Sequence, residues 1–129
     1  MHMKTLIAVS AIAVMSTTAQ AGCGIYGTVK LLANDFPATQ AMSAAVRKCD
    51  GGSADISVNL NKDHKDLIVP AFTANPPEFT VSHVTNSTLV SVMNDGLAMP
   101  LDDLIAAHGG GVQDMQKVTI DGKVMAIAF

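Results

Sequence analysis

The chain is 129 residues long, enough for one modest domain, and its 8 basic residues against 11 acidic ones give a net charge of −3. Scattered cations in an acidic chain exclude the clustered positive surface that phosphate backbones require, so nucleic acid is not an expected partner. With no Trp, one Tyr and two Cys, the chain is neither rich in stacking surface nor a disulfide-dense scaffold.

The amino terminus carries Lys4, an apolar run from Leu6 to Met15, and a small-residue stretch ending in Ala19-Gln20-Ala21. That order is expected of a secretory signal peptide over residues 1–21, cleaved between Ala21 and Gly22. The apolar run falls short of the ~20 residues a spanning helix needs. Cleavage removes Lys4 and leaves 7 basic residues against 11 acidic ones, a net −4. A periplasmic destination follows, and with it a compartment that permits disulfides.

Cys23 and Cys49 both remain after cleavage. If the first strand runs outward and the first helix runs back, Cys49 returns to the start of that strand, and a Cys23–Cys49 bridge is expected. Two other readings stay open: two free thiols, or a lipidated Cys23, although Gln20 sits where a lipobox carries an aliphatic residue.

Gly27 to Ala33 forms a nearly continuous apolar run around Val29, Leu31 and Leu32, the pattern of a central strand covered on both faces. Asn34-Asp35 turns the chain, with Asp35 as helix cap and Pro37 in the first turn. Met42, Ala45, Val46 and Cys49 fall on one helical face, which Asp50-Gly51-Gly52 ends. Ile56, Val58 and Leu60 alternate with Ser57, Asn59 and Asn61, so the second strand has one polar face or lies at an edge. Asp63 is placed to cap a second helix with Leu67, Ile68, Ala71 and Phe72 inward, and Pro70 predicts a kink or early stop.

After Asn75-Pro76-Pro77, the residues Phe79, Val81, His83 and Val84 mark a third strand. Leu89, Val92 and Met93 predict a helix closed by Gly96, and Leu101 to Ala107 another closed by Gly109 to Gly111. Val118 to Ile120 and Lys123 to Ile127 form a hairpin through Asp121-Gly122, a pair suited to a two-residue turn with positive φ at both positions.

Strands alternating with helices predict an α/β fold: a parallel or mixed sheet with helices on both faces. Ligands in such sheets sit at the carboxyl ends of strands whose connections diverge. That rule singles out Asn34, Asp35 and Phe36 after the first strand and Asn86, Ser87 and Thr88 after the third, residue types that also suit ordinary turns and caps.

Other constellations carry less. His108-Gly109-Gly110-Gly111 has no G-x-S-x-G partner and follows a helix, so it reads as a helix terminator, not an oxyanion loop. His64, His83 and His108 with Asp63 or Asp66 lack a close ligand pair, so no metal site is expected. Asp102-Asp103 after Pro100 suits the first turn of a helix. The cysteines form no C-x-x-C, and Met42 and Met93 fall on apolar faces. Asn86-Ser87-Thr88 also matches a glycosylation acceptor, a short and common pattern. No cofactor and no catalytic residue is expected.

The segments Gly96-Leu97-Ala98-Met99-Pro100-Leu101-Asp102-Asp103-Leu104 and Ile120-Asp121-Gly122-Lys123-Val124-Met125-Ala126-Ile127-Ala128-Phe129 resemble the family 1 extracellular solute-binding proteins. In that family a Gly-Leu-x-x-Pro-Leu-Asp segment precedes an Asp-Gly-Lys hairpin. Here Met125 stands in place of the usual aromatic residue and Ala128 in place of the usual proline. The resemblance runs from about Thr28 to Phe129. It implies that residues 22–129 are an incomplete amino-terminal lobe of a two-lobed binding protein. It further implies capture of a small polar solute, a carbohydrate above all, for delivery to the transmembrane permease of an ABC importer. Asn34, Asp35, Phe36, Asn86, Ser87 and Thr88 would then face the cleft, where amides and carboxylates pair with hydroxyls and an apolar ring covers a sugar face. A small exported enzyme or a stand-alone structural domain is the alternative.

Overall fold

The computed structural model describes residues 23–51 and 53–129, and the expected signal segment and its cleavage site at Ala21 and Gly22 lie outside them. The chain is a mixed α/β structure. Strand β1 (Gly27–Ala33) is followed by helix α1 (Pro37–Val46), which tightens into a 3-10 turn over Arg47–Cys49. Next come β2 (Ala54–Leu60), α2 (His64–Thr73), the short β3 (Val81–Ser82), α3 (Asn86–Asn94) and α4 (Asp102–His108). A second 3-10 turn over Asp114–Gln116 leads into the hairpin of β4 (Lys117–Ile120) and β5 (Lys123–Ile127).

The first three strands form one parallel sheet in the order β2-β1-β3, with Gly27 opposite Ala54 and Leu31 opposite Val81. Leu31, Leu32 and Ala33 are all buried, although neighbouring residues of a strand point to opposite faces. The carboxyl half of β1 is therefore covered on both sides, which is why its sequence shows no polar alternation. On one side Leu32 packs with Ile68 of α2 and Val92 of α3, flanked by Phe72, Phe79 and Val84. The alternating sequence of β2 fits its edge position: Ala54 and Ile56 are buried, while Asp55, Ser57 and Asn59 are exposed.

Several local expectations are corrected. Helix α1 buries Thr39 and Ser43, whereas Met42 and Val46 are only half-buried and Ala45 is exposed. Small polar side chains on the inward line bond to nearby groups, so their burial leaves few atoms unpaired. Residue Phe36, not Asp35, occupies the N-cap position of α1. Pro70 neither stops nor ends α2, which runs three residues beyond it. The backbone bond it forfeits belongs to the exposed Asp66, whose carbonyl water can serve, and Thr73 Oγ1 donating to Val69 O at 2.7 Å helps close the last turn. The third strand is two residues long, not six, although Thr80 N and His83 N continue its pairing to Lys30 O and Leu32 O.

A disulfide joins Cys23 to Cys49, tying the segment before β1 to the end of the 3-10 turn after α1. At the opposite end of the chain, Asp121 and Gly122 both adopt positive φ (51° and 77°), as the two-residue turn requires. The hairpin docks through Leu101 N donating to Val124 O at 2.7 Å and Val124 N donating to the Asp102 carboxylate at 3.2 Å. No described helix is long and apolar enough to cross a membrane.

Candidate functional site

Three loops leave the carboxyl end of the sheet. The connection from β1 leads through α1 to β2 on one side, while β3 lies on the other side of β1. Connections thus diverge between β1 and β3, the place where open α/β sheets form a ligand crevice.

The loop after β1 is held by one side chain. Fully buried Thr39 donates its hydroxyl to Asn34 O and lies 2.9 Å from Phe36 O, and its oxygen accepts from Phe36 N at 3.3 Å. Asn34, Asp35 and Phe36 are each half-buried. The Asp35 carboxylate accepts from Gln40 Nε2 at 2.7 Å, so a carboxylate and an amide stand together one helical turn into α1. Thr39→Val keeps the shape but strips Asn34 O and Phe36 N of a partner. We expect a loss of about 1–2 kcal/mol in denaturant unfolding, together with faster amide exchange at 34–36.

The Phe36 ring meets His83, which follows β3, at a centroid separation of 5.7 Å. His83 in turn stacks on His64 at 5.2 Å with the planes 29° apart, and meets Phe129 edge-on at 5.5 Å. Four rings from four separate parts of the chain thus converge on the divergence point. His64 is 3% exposed, and neither of its ring nitrogens has a hydrogen-bond partner among the described residues; the buried Nδ1 of His83 has none either. Burial holds the His64 imidazole below its ordinary value of 6.5, with His83 and Lys65 acting in the same direction and Asp66 opposing. Burial likewise lowers His83. Both rings are therefore neutral near pH 7, each with one donor and one acceptor nitrogen.

The other three expected site residues take a different part. Asn86 and Ser87 are exposed and Thr88 is half-buried at the start of α3. Thr85 Oγ1 lies 3.1 Å from both Ser87 Oγ and Thr88 Oγ1, and Thr85 N donates to Thr88 Oγ1 at 2.8 Å. Ser87 and Thr88 are thus engaged in capping α3, and the described contacts bring Phe36 to His83, not to this triplet. An open depression of about 420 Å³ lies elsewhere, lined by Pro100, Asp102, Asp103, Gly122 and Lys123. It shares no residue with the ring cluster, and its Asp102 carboxylate is occupied in docking the hairpin.

No family model, curated protein or solved structure matches this chain.

Among the described residues, no group of three or more His, Cys, Asp or Glu side chains comes together in a way that could hold a metal ion. His108 closes α4 and does not join the imidazole pair. His64 and His83 were legible in the sequence only as dispersed residues, one at a helix start and one within the expected third strand, whereas His83 follows the two-residue β3. What unites them is the crossover of α2 from one sheet edge to the other. In the structure each follows the end of a parallel strand, His64 after β2 and His83 directly after β3.

Proposed function

We propose that this chain is the solute-binding component of an ABC importer, exported to the periplasm, where it captures a small polar solute of the carbohydrate class and delivers it to the transmembrane permease. One observation carries the reading. At the divergence of β1 and β3, the loop that carries the Asp35 carboxylate, bonded to the Gln40 amide, also carries Phe36, whose ring meets His83 in a cluster with the buried His64 and the exposed Phe129. Carbohydrate recognition needs that combination: polar groups for hydroxyls, and an apolar face for the C–H side of a sugar ring. The two sequence segments resembling family 1 solute-binding proteins supply the class, and this binding face is consistent with it. Asn86, Ser87 and Thr88 remain candidates only on the rim, through whichever hydroxyl and amide groups the helix cap leaves free.

The described face is one wall. Small-molecule sites enclose roughly 70–90% of their ligand, and hydrogen bonds that compete with water add only about 0.5–1.5 kcal/mol each. Residues 22–129 alone are therefore expected to bind sugars in the millimolar range. Amide shift mapping with a panel of mono- and oligosaccharides tests this: perturbations should concentrate on Asp35, Phe36, Gln40 and His83, and Phe36→Ala should abolish them. Perturbations confined to the Asp102–Lys123 depression would refute the site, and a micromolar one-to-one complex would refute the one-wall reading.

A further inference from the structure

We propose that His64 and His83 form a proton-operated clasp: while both rings are neutral they hold Phe36 and Phe129 in one aromatic wall beside Asp35, and protonation of the pair parts that wall. The geometry supplies the reasons. His83 is the hub, touching Phe36, Phe129 and His64 at centroid separations of 5.7, 5.5 and 5.2 Å, so any movement of its ring breaks three contacts together. Three imidazole nitrogens are buried without a partner among the described residues, an arrangement that a neutral ring tolerates far better than an imidazolium.

Charging both rings would place two like charges against each other in a desolvated stack. The surrounding charges do not neutralise them. On α2, Lys65 opposes protonation of His64 and Asp66 favours it, with Asp66 the smaller influence. At His83 the cause is burial. Asp35, in the loop carrying Phe36, is engaged by Gln40, and in the segment before the hairpin Asp114 is paired with Lys117 at 2.8 Å. Among the described residues neither imidazole is hydrogen-bonded to a carboxylate at its buried nitrogens, and Asp66 only partly offsets the burial, His83 and Lys65 effects on His64.

The direction of the pH dependence follows. Both imidazoles have folded-state proton affinities below the ordinary value, so the parted form binds more protons than the closed one. The closed wall keeps its full advantage above about pH 6.5, the free imidazole value, and loses it as the pH falls below that toward the lowered values of the pair. The consequence for solute capture, weaker binding in acid, rests on the function proposed above; the clasp itself does not.

The test is an NMR titration of the ligand-free protein from pH 8 to 4.5, following imidazole nitrogens and phenyl ring resonances together. We expect His64 and His83 to titrate below 6.5 and the Phe36 and Phe129 rings to move with the His83 midpoint, while amides of the β1–β2 ladder stay fixed. His83→Phe should make the Phe36 and Phe129 resonances independent of pH. Should that variant fail to fold, His64→Phe keeps a stacked ring but removes one charge, and should reduce the ring displacement at least twofold. Rings that stay in place while His83 becomes charged would overturn the clasp, as would simultaneous loss of all amide signals at one midpoint. Carbohydrate mapping at pH 7.5 and 5 separates the two readings: a clasp that titrates normally in a protein that no sugar perturbs at either pH refutes the binding function alone.

Discussion

Leu32→Ala should lower the unfolding free energy by about 3–4 kcal/mol, near the middle of the range for buried leucines that leave a cavity. Leu32 is 0% exposed and sits in the central strand, where Ile68 of α2 and Val92 of α3 meet it. Its neighbours cannot easily close around the missing atoms, because β1 is fixed by pairing with β2 along seven residues and with β3 at its carboxyl end. A domain of this size has only about 5–15 kcal/mol in total, so the variant should populate unfolded chain visibly at modest urea concentrations. Val90→Ala on the outer face of α3, where the side chain is 56% exposed, provides the control and should shift stability by no more than about 0.5 kcal/mol. Urea unfolding followed by circular dichroism decides it. A Leu32→Ala protein within 1 kcal/mol of the parent, by the same scale of core effects, would mean that α2 and α3 do not pack on β1 as described.

The same strand shows why some of the fold was legible and some was not. The Leu31-Leu32-Ala33 end of β1 and the alternation in β2 announce a covered strand beside an edge, because burial on one or two faces is written directly into residue type, whereas Gly27, Thr28 and Lys30 are exposed and the amino half of β1 is not covered on both faces. The Asp121-Gly122 turn was equally legible, since few residue pairs accept positive φ twice in succession. Helix α1 was misread because its inward line is Thr39 and Ser43, polar residues whose burial depends on bonds to backbone groups that periodicity does not register. The expected early stop at Pro70 does not occur, because the cost of a proline depends on whether the orphaned carbonyl is exposed, a tertiary fact.

The candidate site divides along the same line. Asn34, Asp35 and Phe36 follow from strand order and the rule of the carboxyl ends alone, and Phe36 does lie at the ring cluster. Asn86, Ser87 and Thr88, expected in the loop after the third strand, form the first turn of α3, and the side chain this part of the chain contributes to the cluster is His83, three residues ahead of them. His64 was out of reach of sequence reasoning, because its approach to His83 depends on how far α2 swings across the sheet. Phe129 reaches His83 only through the docking of the hairpin on the start of α4, and it remains 68% exposed there.

Removing the Cys23–Cys49 bridge should cost roughly 3–4 kcal/mol, the chain-entropy value for a closed loop of about this length. The two cysteines are 26 residues apart in sequence, and the loop they close contains all of β1 and α1. The bridge therefore restricts the unfolded chain around the strand on which the whole parallel sheet is built. Loss should be global, seen as a lower urea midpoint for the Cys23→Ala/Cys49→Ala protein than for the oxidised parent. The crevice should be little affected in the folded state. Cys23 lies before the amino end of β1 and the ring cluster beyond its carboxyl end, a separation of roughly 20 Å at about 3.3 Å per strand residue. The resonances of Phe36 and His83 should accordingly be nearly superimposable between oxidised and bridge-free proteins under native conditions. Two measurements can contradict this. Complete alkylation of both cysteines in the air-oxidised protein without reductant would show that the bridge is absent, and an unchanged urea midpoint in the double variant would show that the loop it closes is already restricted in the unfolded chain.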